Sequence, residues 1–144
     1  MSETTMRPLA GVRVLALENF VAGPTATMFL ADWGADVVKI EPPTGDTYRS
    51  FPPIKSTESA VSSVWFSRLN RGKRSVVLDL RSEDGRAAMR ALIEGADVFI
   101  HSMRSKAIAK LGFGYDDVAA INPSIVYTNC YGYGRRGPDR VSSQ

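Results

Sequence analysis

Cationic side chains that follow the predicted strands are the first groups in this sequence that could do chemistry. One compact run, Asn70-Arg-Gly-Lys-Arg74, precedes a predicted strand, and further cations follow later strands: Arg81, Arg104, Lys106 and Lys110. Because guanidinium and ammonium groups pair with phosphate oxygens, cations on loops at one edge of a sheet could form a phosphate-recognition surface. The alternative is a solvated charged edge, which is the usual role of an isolated charge cluster. The residue types leave both interpretations open.

A second candidate is the turn Val21-Ala-Gly-Pro24, which follows a short apolar run and opens a predicted helix. Free amides at a helix N-terminus can bind an anion. Glu41 ends the next predicted strand, where dinucleotide-binding folds hold a ribose. Only Gly23 is available for close backbone approach, so the glycine fingerprint of those folds is missing and nicotinamide binding is disfavoured. A plain strand-to-helix turn is the alternative.

His101 and Cys130 are the remaining side chains with reactive potential. His101 ends a predicted strand, a good position for chemistry, but has no nucleophile beside it in the sequence. Cys130 lies inside an apolar strand, where a small buried role is favoured over a nucleophilic one.

Alternating apolar strands and amphipathic helices must position these groups. The patterns predict strands over 12–17, 36–41, 75–80, 97–102 and 125–131, and helices over 25–33, 62–69, 82–94, 105–111 and 115–121. This alternation predicts an α/β fold with a Rossmann-like, mostly parallel, doubly wound sheet. The inward face of the first helix is predicted to carry Ala26, Phe29, Leu30 and Trp33, and that of the third Ala87, Ala88, Ala91 and Leu92. The proline-rich stretch 42–53 is predicted to be a long functional loop without regular structure.

Length and composition limit the class of protein. The chain has 144 residues and a net charge of +3, which suits one domain and is too weak and dispersed for nucleic-acid binding. A single cysteine excludes an internal disulfide and a cysteine-based zinc cluster, so no metal is expected. We expect a cytoplasmic protein with no membrane segment. The expected organisation is a flexible N-terminus over 1–8, a Rossmann-like part over 9–134 and an irregular basic tail over 135–144.

Several uncommon blocks, in order and correctly spaced, carry a family resemblance. They are Pro8-Leu-Ala-Gly-Val-Arg-Val14, Ala22-Gly-Pro24, Leu30-Ala-Asp-Trp-Gly-Ala-Asp-Val-Val-Lys-Ile-Glu-Pro-Pro43 with Gly45-Asp46 and Arg49, Asn70-Arg-Gly-Lys-Arg-Ser-Val76 with Leu78-Asp-Leu80, Ala96-Asp-Val98, Leu111-Gly112, Asn122-Pro123, Gly132-Tyr-Gly134 and Gly137-Pro138. Together they resemble the N-terminal region of family III CoA-transferases, the group of formyl-CoA transferase, carnitine CoA-transferase and α-methylacyl-CoA racemase.

The resemblance implies a Rossmann-like large domain that binds coenzyme A, in a homodimer of interlocked chains. It also implies transfer of CoA from an acyl-CoA to a carboxylic acid. An aspartate attacks the thioester to form a mixed anhydride, becomes an aspartyl-CoA thioester and passes CoA to the acceptor. The racemase branch uses the same CoA site but exchanges an α-proton by acid–base chemistry. A non-catalytic CoA-binding or assembly module is a further alternative.

Site residues follow from the matched motifs alone. The resemblance places Phe20, Val21 and Ala22 at the turn that lines the CoA thioester. It places Leu78, Asp79 and Arg81 at the adenine and ribose phosphate, and Ser102, Met103 and Lys110 along the nucleotide and pantetheine. Pro42 stands where some members have a CoA-contacting arginine, and His101-Ser-Met-Arg-Ser-Lys106 replaces a Glu-Asn-Phe-x-Pro-Gly type of run. We expect no catalytic residue within the chain, because the family's nucleophilic aspartate comes in a later Gly-Tyr-Asp type of sequence. We therefore expect this chain alone to be inactive, and the sequence leaves its acyl donor and its acceptor unassigned.

Overall fold

The computed structural model describes residues 6–56 and 61–132. Its strands are β1 (Arg13–Leu17), β2 (Asp36–Glu41), β3 (Ile54–Ser56), β4 (Val61–Ser63), β5 (Arg74–Val77), β6 (Val98–His101) and β7 (Val126–Asn129). Its helices are α1 (Ala22–Asp32), α2 (Val64–Leu69), α3 (Glu83–Glu94), α4 (Ser105–Lys110) and α5 (Tyr115–Ile121), with a 3-10 turn at Thr47–Ser50. The expected flexible segment 1–8 lies largely outside the described residues, and the expected basic tail 135–144 lies wholly outside them.

The central sheet has five parallel strands in the order β5-β2-β1-β6-β7, which confirms the α/β prediction. Strand β1 is central, because Val14 pairs with Val37 of β2 on one side and with Val98 of β6 on the other. The chain runs outward from β1 through β2 to β5 and then crosses to β6. This reversal creates a topological switch point between β1 and β6, where open α/β sheets bind ligands.

Helices cover both faces of the sheet, as side-chain alternation along the strands requires. On one face, Leu15, Ile40 and Phe99 pack against Met89 and Ile93 of α3, together with side chains from α4 and α5. On the other face, Val14, Ala16 and Val37 form a smaller cluster against α1.

The sequence prediction for α1 is right about its end and about Leu30, which packs against the sheet, but wrong about the other three residues of the inward face. Gly34, at φ +101°, closes the helix in a Schellman motif, in which the Ala35 amide donates to the Leu30 carbonyl at 3.0 Å. The buried residues of α1 are Gly23, Pro24, Thr27 and Met28, and the half-buried Leu30 and Ala31 pack against the sheet. Phe29 and Trp33 are instead 49% and 54% exposed, and Ala26 is exposed as well. Small side chains let the helix approach the strands closely, which a face of large aromatic rings would prevent.

Further along the chain the local signals give mixed results. Ser82 caps α3 by accepting the Gly85 amide, as the Ser-Glu-Asp start predicts. The buried side chains of α3 are Met89 and Ile93, whereas Ala87 and Ala91 are exposed.

The stretch after β2 holds more regular structure than the prolines predict. It contains the 3-10 turn and continues into an antiparallel hairpin of β3 and β4, in which Ile54 pairs with Ser63. Among the described residues, no helix combines the length and apolarity needed to span a bilayer.

Candidate functional site

A cleft of about 500 Å³ opens at the carboxyl ends of the parallel strands. Three connections form its walls: the β1–α1 turn, the loop after β2, and the segment between β5 and α3. Met103, which follows β6, and Leu111, which follows α4, complete it. The lining residues are Leu17, Glu18, Asn19, Ile40, Glu41, Pro42, Thr44, Gly45, Asp46, Thr47, Leu78, Asp79, Leu80, Arg81, Met103 and Leu111. The cleft thus combines apolar side chains from the strand ends with a polar rim.

Four of the residues implied by the resemblance line this cleft, namely Leu78, Asp79, Arg81 and Met103. The Arg81 guanidinium lies at the rim with its side chain 82% exposed, and it pairs with Asp79 at 3.1 Å. Hydrogen bonds from the Arg81 side chain and backbone lower the pKa of the Asp79 carboxyl. An exposed guanidinium beside an apolar wall can pair with a phosphate while leaving an attached ring in the cleft.

The other five predicted site residues lie around the cleft. The Ser102 hydroxyl accepts the backbone N–H of the lining residue Asn19 at 3.2 Å. Residues Phe20, Val21 and Ala22 continue from Asn19 into α1 and are exposed outside the cleft wall. Lys110 is exposed at the end of α4, immediately before the lining residue Leu111. Contact of these residues with coenzyme A stays a prediction.

The two arginines of the cationic run before β5 are exposed, but they are paired with carboxylates and do not line the cleft. Arg71 pairs with Asp32 at the end of α1, and Arg74 pairs with Asp36 at 2.6 Å. Asp36 and Arg74 begin their strands, so this pair lies at the edge of the sheet opposite the cleft. Lys73 is buried, with its side chain 1% exposed. Through these ion pairs the run connects the start of β5 to α1, to β2 and to the turn after β1.

Lys73 belongs to a buried cluster of four charged side chains below the cleft, here called the ion cluster: Glu18, Lys39, Asp46 and Lys73. The Lys73 ammonium donates to Glu18 Oε1 at 3.1 Å and to the Pro24 carbonyl at 2.9 Å. The Lys39 ammonium donates to the Glu18 carbonyl at 2.9 Å and lies 2.8 Å from Asp46 Oδ2. Two positive and two negative charges balance, as burial of ions requires.

Burial affects the Lys73 ammonium of this cluster by favouring its neutral form. It lowers the pKa of Lys73, although pairing with Glu18 opposes that change. The second Glu18 oxygen, Oε2, has no hydrogen-bond partner among the described residues. A Cβ at Gly23 would lie 2.8 Å from Oε2, so only glycine fits against this carboxylate.

Glu41 is the best-satisfied carboxylate near the cleft. Arg49 holds it with two hydrogen bonds of 2.7 and 2.6 Å, Ser75 donates to Oε1, and the Asp46 amide donates to Oε2. Burial alone would raise the Glu41 pKa, but these donors lower it to about 2. All of its strong acceptor positions are occupied, so Glu41 is not free to bind a ribose.

His101 and Cys130 lie away from the cleft wall. The His101 ring is fully buried, stacks on Phe99 and contacts the Asn129 amide. Burial, and then the nearby Glu18 carboxylate, raises the pKa of the Cys130 thiol, which keeps it in its unreactive form. The burial of His101 agrees with the structural role that the sequence favoured, whereas Cys130 is only half-buried and lies just after β7 rather than inside it.

Sequence reasoning missed Lys39, Asp46 and Arg49 as functional candidates. One signal was present: Lys39 interrupts the apolar strand Val37-Val-Lys-Ile40, where an unpaired charge would be costly. A buried strand with a central lysine requires a carboxylate from elsewhere in the chain.

Comparison with known proteins identifies relatives of similar sequence and the same fold. The chain is 41% identical over 135 residues to the succinate–glutarate CoA-transferase of Agrobacterium fabrum, which covers 91% of this chain and 34% of the relative. It is 42% identical to the succinyl-CoA:mesaconate CoA-transferase of Haloarcula hispanica, covering 90% of this chain and 33% of the relative. A CAIB/BAIF family protein from Brucella suis has the same fold, with a TM-score of 0.88 and 40% identity over 92% of this chain and 35% of that one.

The chain thus spans about a third of the length of these relatives. A family model described as CoA-transferase family III matches residues 9–143, which is nearly the whole chain. On this match, and on the fold that it shares with solved relatives, the chain belongs to CoA-transferase family III.

Proposed function

We propose that this chain forms the coenzyme A-binding part of an enzyme that moves CoA between an acyl-CoA and a carboxylic acid. In that reaction a carboxylate nucleophile attacks the thioester carbonyl, and CoA leaves as a thiolate before it returns to the activated carboxylate. We assign no nucleophile to residues 6–56 or 61–132. The proposal for this chain is confined to binding and orienting CoA.

The observation that carries the proposal is the composition of the cleft at the switch point. Leu78, Leu80 and Met103 offer apolar surface for an adenine ring and a pantetheine arm. Arg81 offers an exposed guanidinium for a phosphate. CoA needs both features, because its adenine carries a ribose phosphate and a diphosphate at one end and an uncharged arm at the other.

A nicotinamide dinucleotide is the competing ligand for such a fold. That mode of binding uses an acidic residue at the end of the second strand to accept the ribose hydroxyls. Here that residue is Glu41, and Arg49, Ser75 and the Asp46 amide already occupy its oxygens. This arrangement favours CoA over a dinucleotide.

The substrates, assembly and location of the whole enzyme also belong to the proposal. The relatives are named as CoA-transferases for acids that range from succinate, mesaconate and oxalate to phenyllactate, which supports CoA transfer among carboxylic acids rather than racemisation. We include a homodimer as the assembly, as the family resemblance implies, and the cytoplasm as the location, which suits a chain with a single cysteine. No metal is required by this chemistry.

Calorimetric titration of the 144-residue chain with CoA tests the proposal, with NAD as the control ligand. We expect saturable binding of CoA and none of NAD. Arg81→Ala should weaken CoA binding about 10-fold or more, because a hydrogen bond to a charged group contributes roughly 1.5–3 kcal/mol. Arg90→Ala is the matched control, since Arg90 lies on α3 outside the cleft wall and should leave the affinity unchanged.

Lys110→Ala tests whether Lys110 contacts bound CoA, on which the resemblance and the cleft geometry differ. The resemblance predicts a contact with the nucleotide, whereas the side chain is exposed beyond the cleft wall. Weaker binding would show that CoA extends past the cleft to α4. No CoA binding by the wild-type chain, or equal binding of CoA and NAD, would contradict the proposed function.

A further inference from the structure

The ion cluster joins segments that are distant along the chain but adjacent at the cleft. Glu18 begins the β1–α1 turn, and Asp46 lies in the loop after β2. Both residues line the cleft, and both are at least 95% buried, with exposed fractions of 5%. The two segments form neighbouring parts of the cleft wall, so their separation contributes to its shape.

One ammonium group bridges these two segments. Lys39 Nζ donates to the main-chain carbonyl of Glu18 at 2.9 Å and lies 2.8 Å from Asp46 Oδ2. The Lys39 side chain is only 1% exposed, so water does not compete for either contact. A buried charge-assisted contact to a backbone carbonyl positions the main chain itself, not merely a side chain.

The turn held by this contact has a strained backbone. Phe20 adopts φ +62°, the left-handed region that non-glycine residues seldom occupy. Such a conformation is unfavourable and persists only when surrounding contacts enforce it. The Phe20 ring meets the Tyr48 ring edge-on at 5.4 Å, which links the turn to the 3-10 turn after β2 a second time.

We propose that Lys39 is a positioning residue for ligand binding, which holds the β1–α1 turn and the loop after β2 at a fixed separation so that the cleft is formed before ligand arrives. The inference rests on the proposed function for the identity of the ligand, CoA, but not for the positioning itself. Lys39 touches no ligand in this role. It acts through the Glu18 carbonyl and the Asp46 carboxylate, and Lys73 and Thr27 hold the Glu18 carboxylate from the other side.

The test must separate positioning from simple stabilisation. Lys39→Met alone would leave the buried Asp46 charge unpaired and could unfold the chain. The double variant Lys39→Met/Asp46→Asn removes both charges, keeps the cluster neutral and retains the oxygen that accepts the Tyr48 amide. The matched control is Arg74→Met/Asp36→Asn, which makes the same change of charge at the opposite edge of the sheet.

Three quantities are measured on each variant: the urea midpoint, the CoA dissociation constant, and hydrogen exchange of the Asn19 and Gly45 amides. Those amides belong to the two linked segments and donate to Ser102 Oγ and the Pro42 carbonyl. For Lys39→Met/Asp46→Asn we expect a urea midpoint near that of the wild type, CoA affinity reduced at least 10-fold, and at least 10-fold faster exchange at both amides. The control double variant should match the wild type in affinity and exchange.

Each outcome supports or overturns the inference. Wild-type exchange rates at both amides in the Lys39→Met/Asp46→Asn chain would overturn it, whatever the affinity. If the wild-type chain does not bind CoA, the proposed function fails, and exchange alone decides the positioning role. If the double variant does not fold, hydrogen exchange of the wild-type chain is the test. Opening equilibrium constants of the Asn19 and Gly45 amides that agree within 10-fold support the link between the two segments. A difference of 10-fold or more overturns it.

Discussion

Replacing Glu41 with glutamine should remove one of the largest pH-dependent contributions to the stability of this chain. Glu41 ends β2, is 2% exposed and accepts hydrogen bonds from Arg49, Ser75 and the Asp46 amide. Glutamine has nearly the same shape but carries no charge. Its NH₂ group must also face donors at one of the two oxygen positions, so Glu41→Gln both breaks an ion pair and places donors against each other.

The size of the effect follows from the pKa of Glu41, which falls from 4.5 to about 2 on folding. Such a shift corresponds to about 3 kcal/mol of stability at neutral pH. Because the folded pKa is the lower one, this stability is fully present above pH 4.5 and is lost as the pH falls towards 2. About 2 kcal/mol of it should be gone at pH 3.

Urea unfolding of the wild-type and Glu41→Gln chains at pH 7, 5, 4 and 3 measures the effect. We expect the variant to be less stable by about 3 kcal/mol at pH 7 and the difference to shrink by about 2 kcal/mol at pH 3, since glutamine does not titrate. Glu94→Gln, at an exposed position on α3, is the control and should change little at any pH. A difference between wild type and Glu41→Gln that stays constant from pH 7 to pH 3 would refute the reasoning.

Two further predictions concern the cleft wall and the outer surface. Gly85→Ala should destabilise the chain by about 1–3 kcal/mol and weaken CoA binding, because a Cβ there would lie 2.0 Å from the Asp79 carbonyl oxygen. The control is Gly132→Ala, which should change neither stability nor affinity, because a Cβ at Gly132 has no heavy atom within 4 Å. The half-exposed rings of Phe29 and Trp33 on α1 should favour self-association, so sedimentation velocity should detect oligomers that a Phe29→Ser/Trp33→Ser chain forms less readily. A wild-type chain that sediments as a stable monomer would contradict the second prediction.

Local sequence patterns were sufficient to predict the order of the parallel strands and the helices, but not the hairpin of β3 and β4. The bounds of β2 and α5 match those predicted from apolar runs, glycine and proline. The matched family motifs, which are also local in sequence, placed Leu78, Asp79 and Arg81 at the site, and all three residues line the cleft. These inferences depend only on residues close together in the chain.

The inward face of α1 could not be predicted in this way. Apolar periodicity favoured a stripe through Phe29 and Trp33, but the helix turns Gly23 and Thr27 towards the sheet. The reason is tertiary: the Glu18 carboxylate occupies the space beside Gly23 and accepts the Thr27 hydroxyl at 2.5 Å. A buried acidic group selected the face, and its position is not visible in the helix sequence itself.

The role of the cationic run was missed for the same reason. Lys73 lies 55 residues from its partner Glu18, and Lys39 lies 21 residues from it. Composition suggested an exposed phosphate-binding surface, but long-range pairing buries Lys73 and leaves Arg81 as the exposed cation at the cleft rim. Sequence spacing alone does not distinguish a cation that binds a ligand from one that pairs with a carboxylate of the same chain.

The loop after β2 shows how these buried charges substitute for regular structure. Prolines prevent most of this segment from pairing with the sheet, so backbone hydrogen bonds alone cannot hold it. Two sets of contacts do so instead: Glu41 accepts Arg49 and the Asp46 amide within the loop, while Lys39 holds the Asp46 carboxylate from below. Asp46 takes part in both through different atoms, its main-chain N–H in one and its side chain in the other. Anchoring Asp46 from two directions helps this loop, whose regular structure is limited to a short 3-10 turn before β3, to stay ordered, as a preformed ligand cleft requires.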